Sequence, residues 1–456
     1  MDKLDVLLIN APSPNPGEML SHRLQGLPPL GLGYIATWLK QYNYKVKILD
    51  FYIRTVTIIK LKEILEEQHP ILVGISTTTE TYKSGIRIAG YIKSYDSSIV
   101  VFMGGYHVTF EYEAALKSGV VDFVVRNEGE ITSKDICDYF IKQEGEFEKI
   151  LGISYIKNGE VVSNPDRNFI TNLDELPFPD RSLYDIDKYT VPSSISTSRG
   201  CPGRCIFCAA TALSGGRYRV RSAENVIKEF KYLKSLGYKH VQIIDDTMTA
   251  DIRRLNKFLD VLLEEKLDMT WNCESRVDIV TKELLQKMKS AGCKIIQFGV
   301  EAGNQEMLDC LKKNITLQQI HNVFNWCSEL GIGSASCLII GQPFDTFESI
   351  KDTINIASEL QSLGAQVVFS ISTPFPGTYM YNHPDELGLE IINYDTDDYT
   401  TQSPVYRTKN LTEVDIQNSF FDAYVRLGKE NLNPTIRDKY LKIKDEVKKS
   451  KSSLGI

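Results

Sequence analysis

Three of the nine cysteines fall within eight residues, at Cys201, Cys205 and Cys208. They sit in the string Arg199-Gly200-Cys201-Pro202-Gly203-Arg204-Cys205-Ile206-Phe207-Cys208. With cysteine at this frequency, roughly 0.004 occurrences of the spacing are expected by chance. Three thiolates on one loop suit an iron–sulfur cluster or a zinc ion, and three buried thiols are the plain alternative. A closed structural zinc site wants four ligands, and no fourth cysteine lies nearby. A cubane cluster on three cysteines leaves one iron open to a substrate or cofactor. The other cysteines are isolated: Cys137, Cys273, Cys293, Cys310, Cys327 and Cys337.

The loop must be held by something, and the flanking sequence says what. Strand-like runs at Ser194–Thr197, His240–Asp245, Met269–Cys273, Lys294–Phe298, Ser334–Ile340 and Gln366–Ser370 alternate with helical stretches. Those helices are expected at Ala223–Leu236, Arg253–Glu265, Lys282–Ala291, Leu317–Leu330 and Thr346–Leu363. Six βα units predict a partial parallel barrel, with the cysteines after its first strand, where barrel chemistry takes place. Polar or Gly/Pro strings end the later strands: Asp245-Asp246-Thr247, Asn272-Cys273-Glu274-Ser275-Arg276, Gly299-Val300-Glu301, Gly341-Gln342-Pro343 and Thr373-Pro374.

Upstream, short Val/Ile-rich runs at Leu4–Asn10, Lys45–Asp50, Ile71–Ser76, Ile99–Gly104 and Val121–Val125 alternate with helical stretches. That pattern predicts a doubly wound, Rossmann-like parallel sheet, which binds ligands at the carboxyl ends of its strands. No Gly-x-Gly-x-x-Gly is present, so the dinucleotide fingerprint is absent. Small residues at the strand ends would let a large flat ligand approach the backbone. A hairpin is expected around Lys157-Asn158-Gly159, then a Pro-containing linker over the surface from Asn164 to Tyr189. The expected units are residues 1–150, a hairpin and linker at 151–190, the barrel at 191–385, and a small, mainly helical segment at 386–456. That last segment should help shape the substrate pocket. It carries Tyr394, Tyr399, Tyr406 and Tyr424 and ends in a Lys-rich run, Lys439 to Lys451.

The chain has 456 residues, 42% apolar and 24% charged, which excludes a mainly disordered protein. No apolar run approaches the length of a membrane span, and the first residues lack the layout of a signal peptide. The cytoplasm is expected. A formal charge of −7 argues against nucleic acid as a partner.

The Cys-x3-Cys-x-aromatic-Cys spacing, with Phe207 in the aromatic place, resembles the radical S-adenosylmethionine (SAM) superfamily. The resemblance implies a [4Fe–4S] cluster whose open iron chelates SAM and cleaves it to a 5′-deoxyadenosyl radical. It implies that Asp245 or Asp246 hydrogen-bonds the SAM amino group and that Arg276 pairs with its carboxylate. It implies that Glu301 holds the ribose hydroxyls or the amino group.

The upstream sheet is similar to the cobalamin-binding domain that precedes such barrels in one large subfamily. The likeness covers residues 4 to 385. It places Ser76, Thr77 and Thr78 near the lower face of the corrin. It places Gly104, Gly105 and the Glu128-Gly129-Glu130 turn along the nucleotide tail. The Asp-x-His-x-x-Gly that supplies a cobalt-ligating histidine is absent. His107, in Gly-Gly-Tyr-His-Val-Thr, is therefore expected as a structural or tail-contacting residue, and cobalt without a lower histidine. Only Cys137 precedes the barrel and no cysteine follows Cys337, so one cluster is expected.

The resemblance implies a cobalamin-dependent methyltransferase acting on an unactivated carbon, or phosphorus, of a small molecule or peptide. One SAM would methylate cob(I)alamin and a second would yield the radical. An external electron donor such as flavodoxin or ferredoxin is implied. The alternatives are a cobalamin-containing cyclase or ring-rearranging enzyme without methyl transfer, a cobalamin or metal sensor without turnover, and radical SAM chemistry without cobalamin.

Overall fold

The computed structural model describes residues 3–14, 26–53 and 56–428. The upstream half is built on β1 (Val6–Asn10), α1 (Leu30–Gln41), β2 (Val46–Asp50), α2 (Ile58–Gln68), β3 (Leu72–Ser76), α3 (Tyr82–Tyr95) and β4 (Val100–Gly104). Two short helices, α4 (Tyr106–Phe110) and α5 (Tyr112–Lys117), precede β5 (Phe123–Val125) and α6 (Glu130–Cys137). The hairpin follows as β6 (Ile153–Lys157) and β7 (Glu160–Ser163). The strand order is β2-β1-β3-β4-β5-β6-β7. The first five strands pair in parallel, and the hairpin adds on antiparallel through β5.

Side chains on successive strand residues take opposite faces, so this sheet feeds two cores. Leu7, Ile9, Val73, Ile75, Val101 and Met103 pack on one face. Val6, Leu8, Leu72, Phe102 and Phe123 pack on the other, against Leu32, Ala36 and Leu39 of α1. Burial on both faces explains why these strands read as continuous apolar runs. The order reverses between β1 and β3, which opens a crevice at their carboxyl ends.

The stretch from 164 to 193 is not a linker laid over the surface, as its prolines suggested. It is a packed strap. Ile170, Leu173 and Leu176 are buried against Leu30 and Tyr34 of α1. The Arg181 guanidinium donates to the carbonyls of Ser194 (2.5 Å) and Pro192 (3.3 Å). Tyr189 Oη donates to Asp50 at the end of β2 (2.7 Å). The strap lies so close to α1 that a Cβ on Gly33 would sit 1.7 Å from Tyr184 Oη. Prolines here keep the chain extended without loosening it, because apolar residues between them reach the core.

The downstream half begins with β8 (Ser194–Ile195), a ribbon of β9 (Ser198–Arg199) and β10 (Arg219–Val220), and a five-residue helix between them, α7 (Ala209–Leu213). Then come α8 (Ala223–Ser235), β11 (His240–Ile243), α9 (Ile252–Glu265), β12 (Thr270–Ser275), α10 (Lys282–Ser290) and β13 (Cys293–Glu301). The unit continues through α11 (Gln305–Cys310), α12 (Leu317–Leu330), β14 (Gly333–Ile340), α13 (Phe347–Ser362) and β15 (Gln366–Ile371). The sheet order is β15-β14-β13-β12-β11-β8, all parallel. These are the six strands that the βα spacing predicted. In β12, buried Trp271, Cys273 and Ser275 alternate with half-buried Thr270, Asn272 and Glu274, so one face of this strand is polar and partly open.

A short α14 (Tyr379–Asn382) leads to a ribbon of β16 (Glu390–Ile391) and β17 (Tyr406–Arg407), then α15 (Glu413–Arg426). Tyr424 of α15 exchanges two hydrogen bonds with the Phe369 backbone on β15. That contact covers the free edge of the barrel sheet. The described part of the final segment thus carries a ribbon of two-residue strands and a fourteen-residue helix, and the Lys-rich run lies outside the described residues. Among the described residues, no helix is long and apolar enough to cross a membrane.

Candidate active site

The cysteine loop leaves β9 and returns at β10. Arg199 and Arg219 face each other across that ribbon. Gly200 starts the loop with φ +82°, and a Cβ there would lie 2.1 Å from the Arg217 carbonyl oxygen. Only glycine meets both conditions. The middle of the loop is pinned to the barrel rim. Ile206 N–H donates to Leu311 O and Met380 N–H donates to Ile206 O, each at 3.2 Å.

Cys201 is buried, while Cys205 and Cys208 are half-buried. A Cβ on Gly203 would lie 3.4 Å from Cys201 Sγ and 3.9 Å from Cys205 Sγ, so both sulfurs flank this residue. Gly203 N–H points at Cys201 Sγ (3.4 Å). Burial pushes the Cys205 thiol up to about 11, against the pull of Lys313 and Arg276. Burial also raises Cys208, opposed by hydrogen bonds from Thr211. Amide donors and two cations around sulfur suit the anionic, thiolate-held cluster that the spacing implied.

The expected SAM residues meet different fates. Asp245 is buried and fully engaged: it accepts from Thr197 N–H (2.6 Å), Thr197 Oγ1 and Ser198 Oγ (2.8 Å). It braces the chain entering the cysteine loop. Asp246 instead opens on the cavity beside Gly200. Surrounding protein, then the Asp245 and Glu274 carboxylates, raise it to about 6. Of the two, Asp246 is the one available to a ligand.

Arg276 spends its Nε and Nη2 on Asp278 (2.9 and 3.0 Å) and Nη2 also on Lys313 O (2.7 Å). The nitrogen left toward the cysteine loop is Nη1, 3.3 Å from where a Gly203 Cβ would be. Arg276 can therefore offer one donor here, not the two of a bidentate carboxylate pair. Glu301 follows a register shift in β13, has φ +70°, and accepts from Lys313 Nζ at 2.6 Å. Burial opposes the Lys313 charge, but Glu301 and Cys205 outweigh it and hold its pKa above the ordinary lysine value. Lys313 went unnoticed in the sequence because it follows a six-residue helix with no motif around it.

The upstream sheet meets this loop across one cavity of about 390 Å³. Ser76, Gly104, Gly105, Glu128, Gly129 and Glu130 line one side, and Gly200, Ala210, Ser214 and Asp246 line the other. Gly105 has φ +101°, and its Cβ would lie 2.5 Å from Thr77 O, so the β3 and β4 ends touch through backbone. Glycines on this floor leave room for a flat group. The volume fits a nucleotide-sized portion of a larger cofactor.

Not every expected cobalamin residue reaches this cavity. Thr77 is buried and donates its N–H to Gly104 O (3.0 Å). Thr78 is exposed at the loop tip, its N–H bonded to Thr81 Oγ1 (2.9 Å). His107 is buried behind the loop, its Nδ1 3.3 Å from Thr79 Oγ1 and its ring packed at a tilt on Tyr82, centroids 4.3 Å apart. Burial lowers its pKa to about 4, so it is a neutral internal residue. Glu128 and Glu130 line the cavity but also bind barrel arginines. Arg199 donates to Glu128 (2.6 Å) and to Glu130 (2.5 Å), and Arg219 donates to Glu128 (2.9 Å).

Comparison with known proteins agrees with this geometry. Residues 195–357 match the Radical SAM superfamily, and residues 19–136 match the B12 binding domain. An uncharacterized methyltransferase of Pyrococcus horikoshii is 34% identical, over 93% of this chain and 92% of its own length. The chain belongs to the cobalamin-dependent radical SAM family. It is a radical SAM enzyme of the methyltransferase type, and its cofactors are a [4Fe–4S] cluster, SAM and cobalamin. The anaerobic magnesium-protoporphyrin IX monomethyl ester cyclase of Rubrivivax gelatinosus is 26% identical over 88% of this chain and 73% of its own. Among solved structures, the radical SAM methyltransferase TsrM of Kitasatospora setae, with cobalamin and a [4Fe–4S] cluster bound, superposes with a TM-score of 0.73. It covers 95% of this chain and 90% of its own, at 17% identity, and so shares the fold of this radical SAM enzyme.

Proposed function

We propose that this radical SAM enzyme methylates an unactivated carbon, or phosphorus, of a small molecule or peptide. The observation that carries the reading is the single cavity shared by the glycine-floored sheet edge and the cysteine loop. When bound, the cluster with SAM supplies one-electron bond cleavage, and cobalamin supplies a methyl carrier. The chain's part is to hold these groups over one polar barrel mouth and to keep water out.

We assign Cys201, Cys205 and Cys208 to the cluster and Asp246 to the SAM amino group. Arg276 Nη1 and the Lys313–Glu301 pair stand below the loop, where a carboxylate and ribose hydroxyls could be received. Ser76, Gly104, Gly105 and Gly129 form the cobalamin floor. We divide the chain near 190 and 385, and count the hairpin after residue 150 with the upstream sheet, to which it pairs through β5. An external one-electron donor such as flavodoxin or ferredoxin is the partner we favour. Pro202 and Arg204 are exposed on the loop, which brings the cluster within reach of the surface. Nine cysteines with no disulfide among them favour a reducing compartment, the cytoplasm.

The test needs no substrate. The reconstituted enzyme is incubated with reductant, hydroxocobalamin and SAM carrying a trideuteromethyl group, and the cobalamin is then extracted for mass spectrometry. Label on the cobalamin is expected. Label confined to SAM and methionine contradicts methyl transfer. That result would favour the second reading, ring closure without methyl transfer, which likeness to the Rubrivivax cyclase supports.

A further inference from the structure

The cluster loop is hung from two supports. One is the barrel, through Asp245, Leu311 and Met380. The other is the cobalamin domain. The whole excursion from Gly200 to Tyr218 begins and ends between Arg199 and Arg219, which are directly paired across the ribbon. Like charges placed opposite each other on paired strands repel. Here Glu128, from the turn after β5, sits between them. Its Oε1 accepts from Arg199 Nη1 (2.6 Å) and Arg219 Nη1 (2.9 Å), and its Oε2 accepts from the Ile170 N–H (2.7 Å). Arg219 also donates to Ile170 O (2.7 Å). Glu130 takes the second Arg199 nitrogen, which makes two acids for two bases.

The knot is dry and braced by rings. Side-chain exposure is 14% for Glu128 and 5% for Glu130. The Arg199 guanidinium lies over Tyr34 of α1 at 5.4 Å, and that of Arg219 lies over Phe169 of the strap at 4.8 Å. All six residues line the cavity or touch a residue that does. A group entering the cavity therefore meets the base of the cluster loop itself.

We propose that Glu128 is a positioning residue that sets the cluster loop against the cobalamin cavity, so that each cofactor's binding strengthens the other's. The inference rests on the cofactor assignment above. It predicts a coupling between two binding equilibria, which is reciprocal by linkage.

The experiment is a titration of the full chain with hydroxocobalamin, with the cluster reconstituted and with the iron removed by chelation. In the wild type, the cluster should tighten hydroxocobalamin binding by about 5-fold or more. In Glu128→Gln the two dissociation constants should agree within about 2-fold, at unchanged iron content per chain. Arg219→Lys keeps the charge but loses the flat guanidinium over Phe169, whose Nη1 alone makes the contacts to Glu128 and Ile170, so it should also lose the coupling and guards against misfolding of the first variant. Glu128→Asp should recover part of it. A wild-type ratio near one overturns the inference, as does a full ratio retained in both Glu128→Gln and Arg219→Lys. A wild type that binds no hydroxocobalamin in either state overturns the cofactor assignment and this inference with it.

Discussion

Gly105→Ala isolates the half of the site that we assign to cobalamin. At φ +101° an L-residue is strained, at about 1–3 kcal/mol. The added methyl would lie 2.5 Å from Thr77 O, 2.9 Å from Thr77 N and 3.2 Å from Ser76 Oγ. Two of those are backbone atoms, so the loop after β3 must move away from the cavity floor. If about 2 kcal/mol of this is borne by the binding-competent conformation, hydroxocobalamin affinity falls roughly 30-fold. The cysteine loop is untouched by this change, so iron content should stay that of the wild type. The assay is a hydroxocobalamin titration of the reconstituted variant beside an iron count. Gly90→Ala is the control: it lies within α3, and its Cβ would meet Val120 at an ordinary 3.8 Å. That change should bind normally and gain about 0.5–1 kcal/mol of stability. Affinity of Gly105→Ala within 2-fold of the wild type would refute the assignment of this floor to cobalamin.

Further outcomes follow from the same geometry. Lys313→Met strands the buried Glu301 carboxylate and should cost about 3–5 kcal/mol in denaturant unfolding, most of it recovered in the Glu301→Gln/Lys313→Met double variant. SAM binding should weaken as pH falls below about 6, by up to tenfold per unit, because protonated Asp246 no longer attracts the ammonium group. Asp246→Asn should bind weakly at all pH values and lack that inflection in calorimetric titrations. The raised pKa also means that Asp246 costs stability as pH climbs from 3.8 toward 6. Cob(II)alamin in the wild type should show no histidine-nitrogen splitting in its electron paramagnetic resonance spectrum. His107→Gln should leave that spectrum unchanged, and a splitting lost in the variant would contradict the internal placement of His107.

Much of the architecture was legible because it depends on local pattern. Continuous apolar strands and the helices between them predicted both sheets, and the three-cysteine spacing marked the loop. What the pattern could not carry was partnership at a distance. Asp245 and Asp246 are neighbours in sequence, yet one is consumed by Thr197 and Ser198 while the other opens on the cavity. Nothing local separates them. Glu128 and Glu130 stood at a strand end, the right place for a ligand contact. Their arginine partners are 69 to 91 residues away, on the ribbon that carries the cysteine loop. The strap from 164 to 193 misled for a related reason: proline content reads as loop, while burial of Leu173, Leu176 and Tyr184 depends on α1, far upstream in the chain. Lys313 had no signal at all.

The most direct measurement is a metal count on the full chain, purified without oxygen and reconstituted with iron, sulfide and hydroxocobalamin, alongside its visible spectrum. About four irons and four sulfides per chain are expected, as a [4Fe–4S] cluster requires, with one cobalamin retained through desalting. Four irons with no retained cobalamin would contradict the cofactor assignment, because the cavity between the glycine floor and the cysteine loop would then belong to a different ligand.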